Sequence, residues 1–340
     1  MQEFIKPRGF TPGDSVHIVS PSAGIMPFIP ERVERAKKHL EAIGYRVIIG
    51  KSAANNMGHV SASVQDRVDD IHAAFRDKTC SLILCSIGGN HSNQLLELLD
   101  YDLIKNNPKA FCGYSDITVL HLAMLAKTGL QTFYGPTFLN QFGEYPEVLD
   151  FTLHNFKKSI MQIKEVTTDT INTGHTDEIL DWFTGADSER ARNLTPNNGI
   201  SVWKKGIASG NALPFTIPSI NHVLNTVYMP EITSPILLID IPEGNSMHEG
   251  LSVGEFDAWF SDVLNSGLVA KSKGIAIGRA YKYTPEMVEE LQKIILERCA
   301  NYDIPIVYGA DFGHTDPMLS IQYASPISIN TESATILKVV

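Results

Sequence analysis

The sequence predicts an α/β fold built around a parallel sheet. The first half of the chain alternates short β-rich segments with amphipathic helices, and most of these β-rich segments are apolar almost throughout. Strands with both faces buried are typical of parallel sheets that helices cover on two sides. Because parallel strands end at one edge of the sheet, the loops that follow them meet there, and ligands bind at that edge.

The first half is expected to contain five strands with helices between them. Strands are predicted at 15–22, 45–50, 80–89, 110–115 and 131–136, and helices at 30–44, 63–77 and 116–129. Four strands are followed by glycine or small polar residues, in PSAG (21–24), IGGNHSN (87–93), GYSD (113–116) and YGPTF (134–138). At such positions a backbone can approach a ligand closely. No G-x-G-x-x-G motif follows the first strand, so neither a dinucleotide site nor a cofactor is expected.

The second half begins with a polar segment. From about 160 to 205 the chain is rich in Thr, Asn and Asp and carries one aromatic pair, Trp182–Phe183, which favours a connector or lid. Further strands are predicted at 207–212, 234–242, 273–280 and 305–313, with helices among them and a hairpin around 330–332. We therefore expect an N-terminal domain over residues 1–165 and a second unit over 166–340, whose first part, about 166–205, is the connector.

Composition limits the class of protein. The net charge of −10 argues against nucleic acid or an anionic membrane surface as a partner. The N-terminus lacks the pattern of a signal peptide, and no run approaches the roughly 18 apolar residues of a membrane helix. The four cysteines stand in apolar surroundings typical of buried free thiols. These observations predict a cytoplasmic protein, and no cluster of side chains has the spacing of metal ligands.

The segment AFCGYSDIT (110–118) places Ser115 between an apolar strand and an amphipathic helix. Serine is a preferred N-cap, so Ser115 is expected to cap a helix that starts at Asp116. The same position directs its hydroxyl group toward the ligand-binding edge of the sheet. Ser115 is therefore also a candidate nucleophile, which needs a base, a group that orients the base, and donors for an oxyanion.

The candidate base is His314. The tetrapeptide GHTD occurs at 174–177 and again at 313–316, but only the second copy follows an apolar strand. A strand end is a rigid mount, which favours His314 over His175. Most of the other histidines lie in helical stretches or polar loops and are interpreted as structural or solvated.

Two carboxylates compete as the acid that orients His314. The segment SPILLIDIPEGN (234–245) carries Asp240 at the end of an apolar run and Glu243 three residues later. A carboxylate in apolar surroundings needs a partner, which favours Asp240. The alternative is that neither carboxylate orients His314: Asp240 would cap the following turn and Glu243 would be solvated. This interpretation explains the two residues almost equally well.

Backbone N–H groups are the candidate oxyanion donors. Asp116 follows the nucleophile directly, and the Gly88–Gly89 turn ends a strand expected to lie close to Ser115. A simple turn at the end of a strand explains the two glycines equally well.

The ordered set of motifs resembles the LD-carboxypeptidase family of serine peptidases, and within it the microcin C immunity branch. The matching segments extend from about residue 16 to the C-terminus: PSAG, IGGN, GYSDIT, YGP, NNGISVWKKGIASGNA, SPILLIDIP, KGIAIGRA and ADFGHTDPMLSIQYASP. Of these, GYSD and FGHTDP at their separation are specific. The resemblance implies Ser115 as nucleophile, His314 as base, and the backbone of Gly89 and Asp116 as oxyanion donors.

The acid departs from the family pattern. The family usually has glutamate where an ungapped comparison places Asp240, whose side chain is one methylene shorter. Three arrangements would compensate: a strand closer to His314, a bridging water, or Glu243 reaching in instead. We favour Asp240. IGGN and YGP also differ from the residues common in relatives, so substrate preference need not carry over.

The resemblance further implies a Rossmann-like, flavodoxin-like N-terminal domain, a smaller β-rich C-terminal domain and a homodimer. The substrate-binding residues expected with these motifs are Gly88, Asn90, Tyr134, Asn211 and Trp182. The expected function is a serine hydrolase that cleaves an amide bond in a microcin C-like peptidyl or aminoacyl nucleotide. Removal of D-alanine from a murein tetrapeptide is the alternative within this class. A catalytically weak peptide- or nucleotide-binding protein is the alternative of another class.

Overall fold

The computed structural model describes residues 4–163 and 172–339. The strands in these ranges are β1 (Ser15–Val19), β2 (Arg46–Ile49), β3 (Cys80–Cys85), β4 (Ala110–Gly113), β5 (Phe133–Tyr134), β6 (Gly174–His175), β7 (Thr195–Pro196), β8 (Ser201–Lys204), β9 (Ile207–Thr216), β10 (Pro235–Asp240), β11 (Gly274–Gly278), β12 (Ile306–Ala310), β13 (Ile321–Gln322), β14 (Pro326–Asn330) and β15 (Leu337–Val339). The α-helices are α1 (Pro30–Ala42), α2 (Val64–Arg76), α3 (Tyr101–Asn106), α4 (Thr118–Thr128), α5 (Asp150–Ser159), α6 (Val253–Asn265), α7 (Leu268–Lys271) and α8 (Pro285–Arg298).

The first sheet has the order β13-β5-β4-β3-β1-β2. Strands β1 to β5 are parallel, and β3 is buried along its whole length. The predicted parallel sheet is therefore confirmed. Its outer strand β13 comes from the C-terminal half of the chain and pairs antiparallel with β5, which the sequence did not indicate.

The second sheet has the order β15-β14-β9-β10-β11-β12-β8. Its four central strands, β9 to β12, are parallel, so β10 and β12 end at the same edge. The expected hairpin at the C-terminus is formed by β14 and β15, in which Ile327 lies opposite Val339.

Helix α4 lies between the two sheets and is buried on nearly every side. It contacts both β5 and β9. An apolar surface around the whole circumference is what such a central helix requires. His121 in this helix is fully buried, and its ring bonds to Thr132 Oγ1 and to the Gly113 carbonyl, which makes it structural.

The connector contains a small antiparallel ladder formed by β6 and β7. The two GHTD tetrapeptides lie side by side, because Thr176 and Asp316 exchange both backbone hydrogen bonds, at 2.7 and 2.9 Å. The predicted boundary at 165/166 and the first residues of the predicted connector, up to 171, lie outside the described residues. No helix in the described ranges is long and apolar enough to cross a membrane.

Candidate active site

Ser115 occupies a sharp turn between β4 and α4. Its φ is +65°, in the left-handed region that residues other than glycine rarely adopt. A short 3-10 turn over Ser115–Ile117 leads into α4, which has no side-chain cap. The prediction that Ser115 caps a helix is therefore wrong. The strand–turn–helix geometry instead matches that of a nucleophile elbow, which exposes a serine at the top of a sheet.

Two glycines allow the loop after β3 to approach this turn. A Cβ atom at position 88 would lie 2.8 Å from the Cβ and 2.9 Å from the Oγ of Ser115. Gly89 has a φ of +141°, and a Cβ atom there would lie 2.9 Å from the backbone nitrogen of Ala23. The PSAG, IGGN and GYSD segments thus meet in close backbone contact, as expected for loops at one edge of a parallel sheet.

Hydrogen bonds fix the orientation of this loop. The Gly88 carbonyl accepts a 3.1 Å bond from the Ala23 N–H, so the N–H of the same trans peptide, that of Gly89, points away from Ala23. The buried Asp116 carboxylate accepts bonds from the N–H groups of His91 and Ser92, both at 2.9 Å. Asp116 therefore anchors the loop with its side chain, a role that the sequence motif did not reveal.

Asp240 bonds directly to His314. Its Oδ2 lies 2.7 Å from His314 Nδ1, and its Oδ1 accepts a 3.0 Å bond from the His314 backbone N–H. Gly313, with a φ of +99°, makes this close approach possible, since a Cβ atom there would lie 2.6 Å from Asp240 Cγ. Three arrangements were considered for the shorter acid. The observed geometry corresponds to the first, in which the strand lies close enough for Asp240 to bond to His314 directly.

Two further hydroxyl groups donate to Asp240. The OH of Tyr134 bonds to Oδ2, and Thr216 Oγ1 lies 2.9 Å from the same oxygen. Burial acts to raise the pKa of the fully buried carboxyl group, but the charge of His314 and the hydrogen bonds outweigh it and hold the pKa below its usual value. Tyr134 is itself fully buried and does not line the cleft, so its expected contact with substrate is wrong.

Glu243 lies at the opposite nitrogen of the same ring. Its Oε2 is 3.5 Å from His314 Nε2, and its side chain is 41% exposed. Burial lowers the pKa of His314, but the charges of Asp240, Glu243 and Asp316 prevail and raise it to about 9. His314 Nε2 is buried and makes no hydrogen bond within the described residues. The two carboxylates that competed as the acid therefore both contact the ring, one at each nitrogen.

Ser115 and His314 open onto one cleft, which has a cavity volume of about 200 Å³. One wall comes from the first half of the chain, with Gly88, Gly89 and Tyr114. The connector and the C-terminal loops complete the cleft with residues that include Asp177, Trp182, Arg192, Glu243 and Tyr281. No hydrogen bond joins Ser115 Oγ to His314 Nε2 in these described residues. Such bonds are often long in unliganded enzymes and shorten when substrate binds.

The connector is attached to the cleft by ion pairs. Asp187 pairs with Arg32 at 2.6 Å and also with Arg35, and all three side chains are largely buried. Arg32 lies over the ring of Trp182, with its guanidinium carbon 3.9 Å from the ring centre. Arg192 pairs with Asp316 at 2.7 Å and with Glu144. The expectation of a polar connector did not anticipate this buried charge network.

The other expected site residues lie in different places. Gly88 and Trp182 line the cleft, whereas Asn90 is exposed and outside it. Asn211 pairs with Pro235 at the start of β10, five residues before the register position of Asp240. At about 3.3 Å per residue this places Asn211 about 16 Å away, at the far end of the strands, so its expected contact with substrate is wrong. His175 does not line the cleft either.

Comparison with known proteins identifies the family. The profile of the LD-carboxypeptidase N-terminal domain matches residues 16–135, and that of the LD-carboxypeptidase C-terminal domain matches 209–329. A protein of Treponema pallidum that carries a provisional carboxypeptidase name is 34% identical, covering 94% of this chain and 90% of its own. A protein of Bacillus subtilis provisionally named a murein peptide carboxypeptidase is 26% identical, covering 97% and 93%.

The microcin C7 self-immunity protein MccF of Escherichia coli is 27% identical, over 95% of this chain and 92% of its own. Its solved structure superimposes with a TM-score of 0.84 and covers 96% of each chain. Other MccF structures hold glutamyl sulfamoyl guanosine or aspartyl sulfamoyl adenosine. With both domain profiles matched and relatives along nearly the whole chain, this serine hydrolase of carboxypeptidase type belongs to the LD-carboxypeptidase family.

Proposed function

We propose that Ser115, His314 and Asp240 form a catalytic triad that hydrolyses an amide bond. Ser115 Oγ attacks the carbonyl carbon while His314 Nε2 takes its proton, and Asp240 orients the imidazole ring through Nδ1. The N–H groups of Gly89 and Asp116 receive the negative oxygen of the tetrahedral intermediate. His314 then gives the proton to the leaving nitrogen as the C–N bond breaks, and water releases the acyl group from Ser115.

The 2.7 Å contact between His314 Nδ1 and Asp240, in a cleft that also exposes Ser115, carries this proposal. The contact leaves Nε2 as the nitrogen that faces the cleft, which is the atom a general base needs. The left-handed turn at Ser115 supports the role of nucleophile. The hydroxyl groups of Tyr134 and Thr216 keep Asp240 ionised, and this favours the imidazolium ion that forms during attack.

The substrate class that we propose is an aminoacyl or peptidyl nucleotide. The aminoacyl sulfamoyl nucleotides in MccF structures support this class. Trp182 supports it as well, because it brings a large aromatic surface to the cleft, where a nucleobase can stack. Arg32 covers one face of this ring, so the proposed stacking uses the opposite face.

Parallel digestion of two substrates tests the proposal. The purified protein is incubated with an aminoacyl sulfamoyl adenosine and with a murein tetrapeptide, and the products are identified by mass spectrometry. We expect release of sulfamoyl adenosine by the wild type and a loss of about a million-fold in Ser115→Ala. Wild-type rates in Ser115→Ala would rule out the mechanism, and release of D-alanine alone would rule out the nucleotide substrate.

A fluorophosphonate probe separates the hydrolase from a binding protein with weak catalysis. Only an activated serine reacts with such a probe, so we expect labelling of Ser115 in the wild type and none in Ser115→Ala. An unlabelled wild-type protein that still binds the nucleotide would favour the binding protein.

A further inference from the structure

The positive charges that line the cleft are already paired. Arg32 and Arg192 are its only Lys or Arg side chains among the described residues. Arg32 bonds through Nη1 to Asp187 at 2.6 Å and through Nε to the Leu139 carbonyl at 2.7 Å. Arg192 bonds to Glu144 and Asp316. Neither guanidinium is therefore left to neutralise a carboxylate of the substrate.

Two negative charges in the same cleft lack such a partner. Within the described ranges, neither Glu243 nor Asp177 forms an ion pair with a Lys or Arg side chain. Asp177 accepts a 3.0 Å bond from the Lys282 backbone N–H, and the Glu243 carboxylate lies 3.5 Å from His314 Nε2. The two carboxylates lie close enough to Tyr281 for both to affect its hydroxyl group. Burial raises the pKa of Tyr281, and the charges of Glu243 and Asp177 raise it further.

A buried nitrogen beside Glu243 marks this part of the cleft as a place for a ligand. The His314 side chain is 8% exposed, it lines the cleft, and its Nε2 has no hydrogen-bond partner among the described residues. In the proposed mechanism this nitrogen meets the Ser115 hydroxyl group and the reacting end of the substrate, so a bound acyl group reaches this corner of the cleft. Such a group would lie next to the Glu243 carboxylate.

We propose that Glu243 and Asp177 receive an ammonium group of the substrate, so that the cleft prefers a basic aminoacyl group, such as lysyl, to an acidic one. This inference rests on the proposed function, and it specifies the charge of the side chain in the acyl group of the substrate. An ammonium group gains two counter-ions that are already in position. In the form of the enzyme in which His314 is neutral and can act as the base, a carboxylate would meet like charges and would find no unpaired Lys or Arg side chain among the described residues of the cleft.

Three substrates that differ in side-chain charge test the preference. They are lysyl, norleucyl and glutamyl sulfamoyl adenosine; norleucyl matches the length of lysyl without its charge. We expect kcat/KM for lysyl to exceed that for norleucyl by about 10-fold and that for glutamyl by about 100-fold. Equal values for lysyl and norleucyl, or a preference for glutamyl, would overturn the inference.

Substitutions at Glu243 and Asp177 test whether these two carboxylates cause the preference for a basic acyl group. Glu243→Gln and Asp177→Asn should each reduce the lysyl-to-norleucyl ratio by about 3- to 10-fold. The ratio cancels any effect of the substitution on His314, because both substrates use the same base. Glu178→Gln is the matched control: Glu178 lines the cleft but pairs with Arg190 at 2.6 Å, so the ratio should stay unchanged. A ratio that falls equally in all three variants would contradict the assignment.

Binding separates this inference from the proposed function. Calorimetric titration of Ser115→Ala with the same three compounds measures recognition without turnover. If the wild type hydrolyses none of them but Ser115→Ala binds lysyl most tightly, the proposed function fails and the charge preference stands. If lysyl does not bind more tightly than norleucyl, the charge preference fails.

Discussion

Gly313 and Asp240 are in contact so close that a side chain at position 313 would displace the carboxylate: a Cβ atom there would lie 2.6 Å from Asp240 Cγ. The φ of Gly313, +99°, adds backbone strain for any other residue. This glycine compensates for the short acid, because it lets the His314 backbone approach Asp240 until both carboxylate oxygens bond to His314.

Gly313→Ala should therefore reduce kcat by about a thousand-fold, since His314 loses its orienting contact. Steady-state kinetics on the nucleotide substrate measures the loss, and circular dichroism checks the fold. Gly267→Ala is the matched control, because Gly267 has a φ of +77° but nothing within 4 Å of a Cβ atom. An equal loss of kcat in both variants would trace the effect to backbone strain rather than to the contact with Asp240.

Tyr134→Phe should lower kcat by about 10-fold and leave KM unchanged. The substitution removes one hydrogen bond to the Asp240 carboxylate, and bonds to charged groups are worth about 1.5–3 kcal/mol. Tyr134 lies outside the cleft lining, so substrate binding should not change. A raised KM with an unchanged kcat would instead indicate that Tyr134 contacts the substrate.

Glu243→Gln should move the acidic limb of the kcat/KM profile to lower pH. As the proposed base, His314 can act only when neutral, and its pKa of about 9 in the free enzyme means that activity should rise as pH approaches that value. Removal of the Glu243 charge lowers this pKa, so half-maximal activity should occur at a more acidic pH. Glu178→Gln is the control, because the Glu178 carboxylate is not among the charges that raise the pKa of His314. It should leave the acidic limb of the profile at the same pH. An unmoved limb in Glu243→Gln would show that another group controls it.

Asp187→Asn should reduce the free energy of unfolding by about 3–5 kcal/mol, because two largely buried arginines lose their shared counter-ion. Urea denaturation measures the change. Asp257→Asn is the control, since its pair with Arg298 is much more exposed and should matter far less. Equal losses in the two variants would mean that burial does not strengthen the pairs of Asp187.

The site was most predictable where local pattern determines position. Ser115 and His314 each follow an apolar strand, so the sequence was sufficient to place each residue at the carboxyl edge of its own sheet. That the edges of two different sheets meet followed only from the family resemblance. The role of Tyr134 was not predictable, because the motif YGP places the residue at a strand end without indicating which way its hydroxyl group points. The prediction for Asn211 was wrong for a related reason. Its motif covers the first half of β9, and the register between β9 and β10 determines that the other end of β9 lies beside Asp240.

Other features depend on contacts between distant segments. The ion pairs of Asp187 and Arg192 join the connector to helix α1 and to the His314 loop, and polar composition alone suggests a solvated segment. The two GHTD copies were compared as rival sources of a base, yet their backbones pair with each other through Thr176 and Asp316. No local pattern reports such a pairing, because it is set by the packing of the whole chain.

The antiparallel strand β13 has a consequence for synthesis on the ribosome. It pairs with β5 at one side of the first sheet, although its residues, Ile321–Gln322, follow all three proposed catalytic residues in the sequence. A nascent chain that stops before residue 321 already contains Ser115, Asp240 and His314, but the outer side of its β5 has no partner strand. Open edges invite pairing with other chains. The first sheet therefore acquires its last strand only after all three proposed catalytic residues have been synthesised, and truncation just before Ile321 should cause aggregation while it leaves those residues in place.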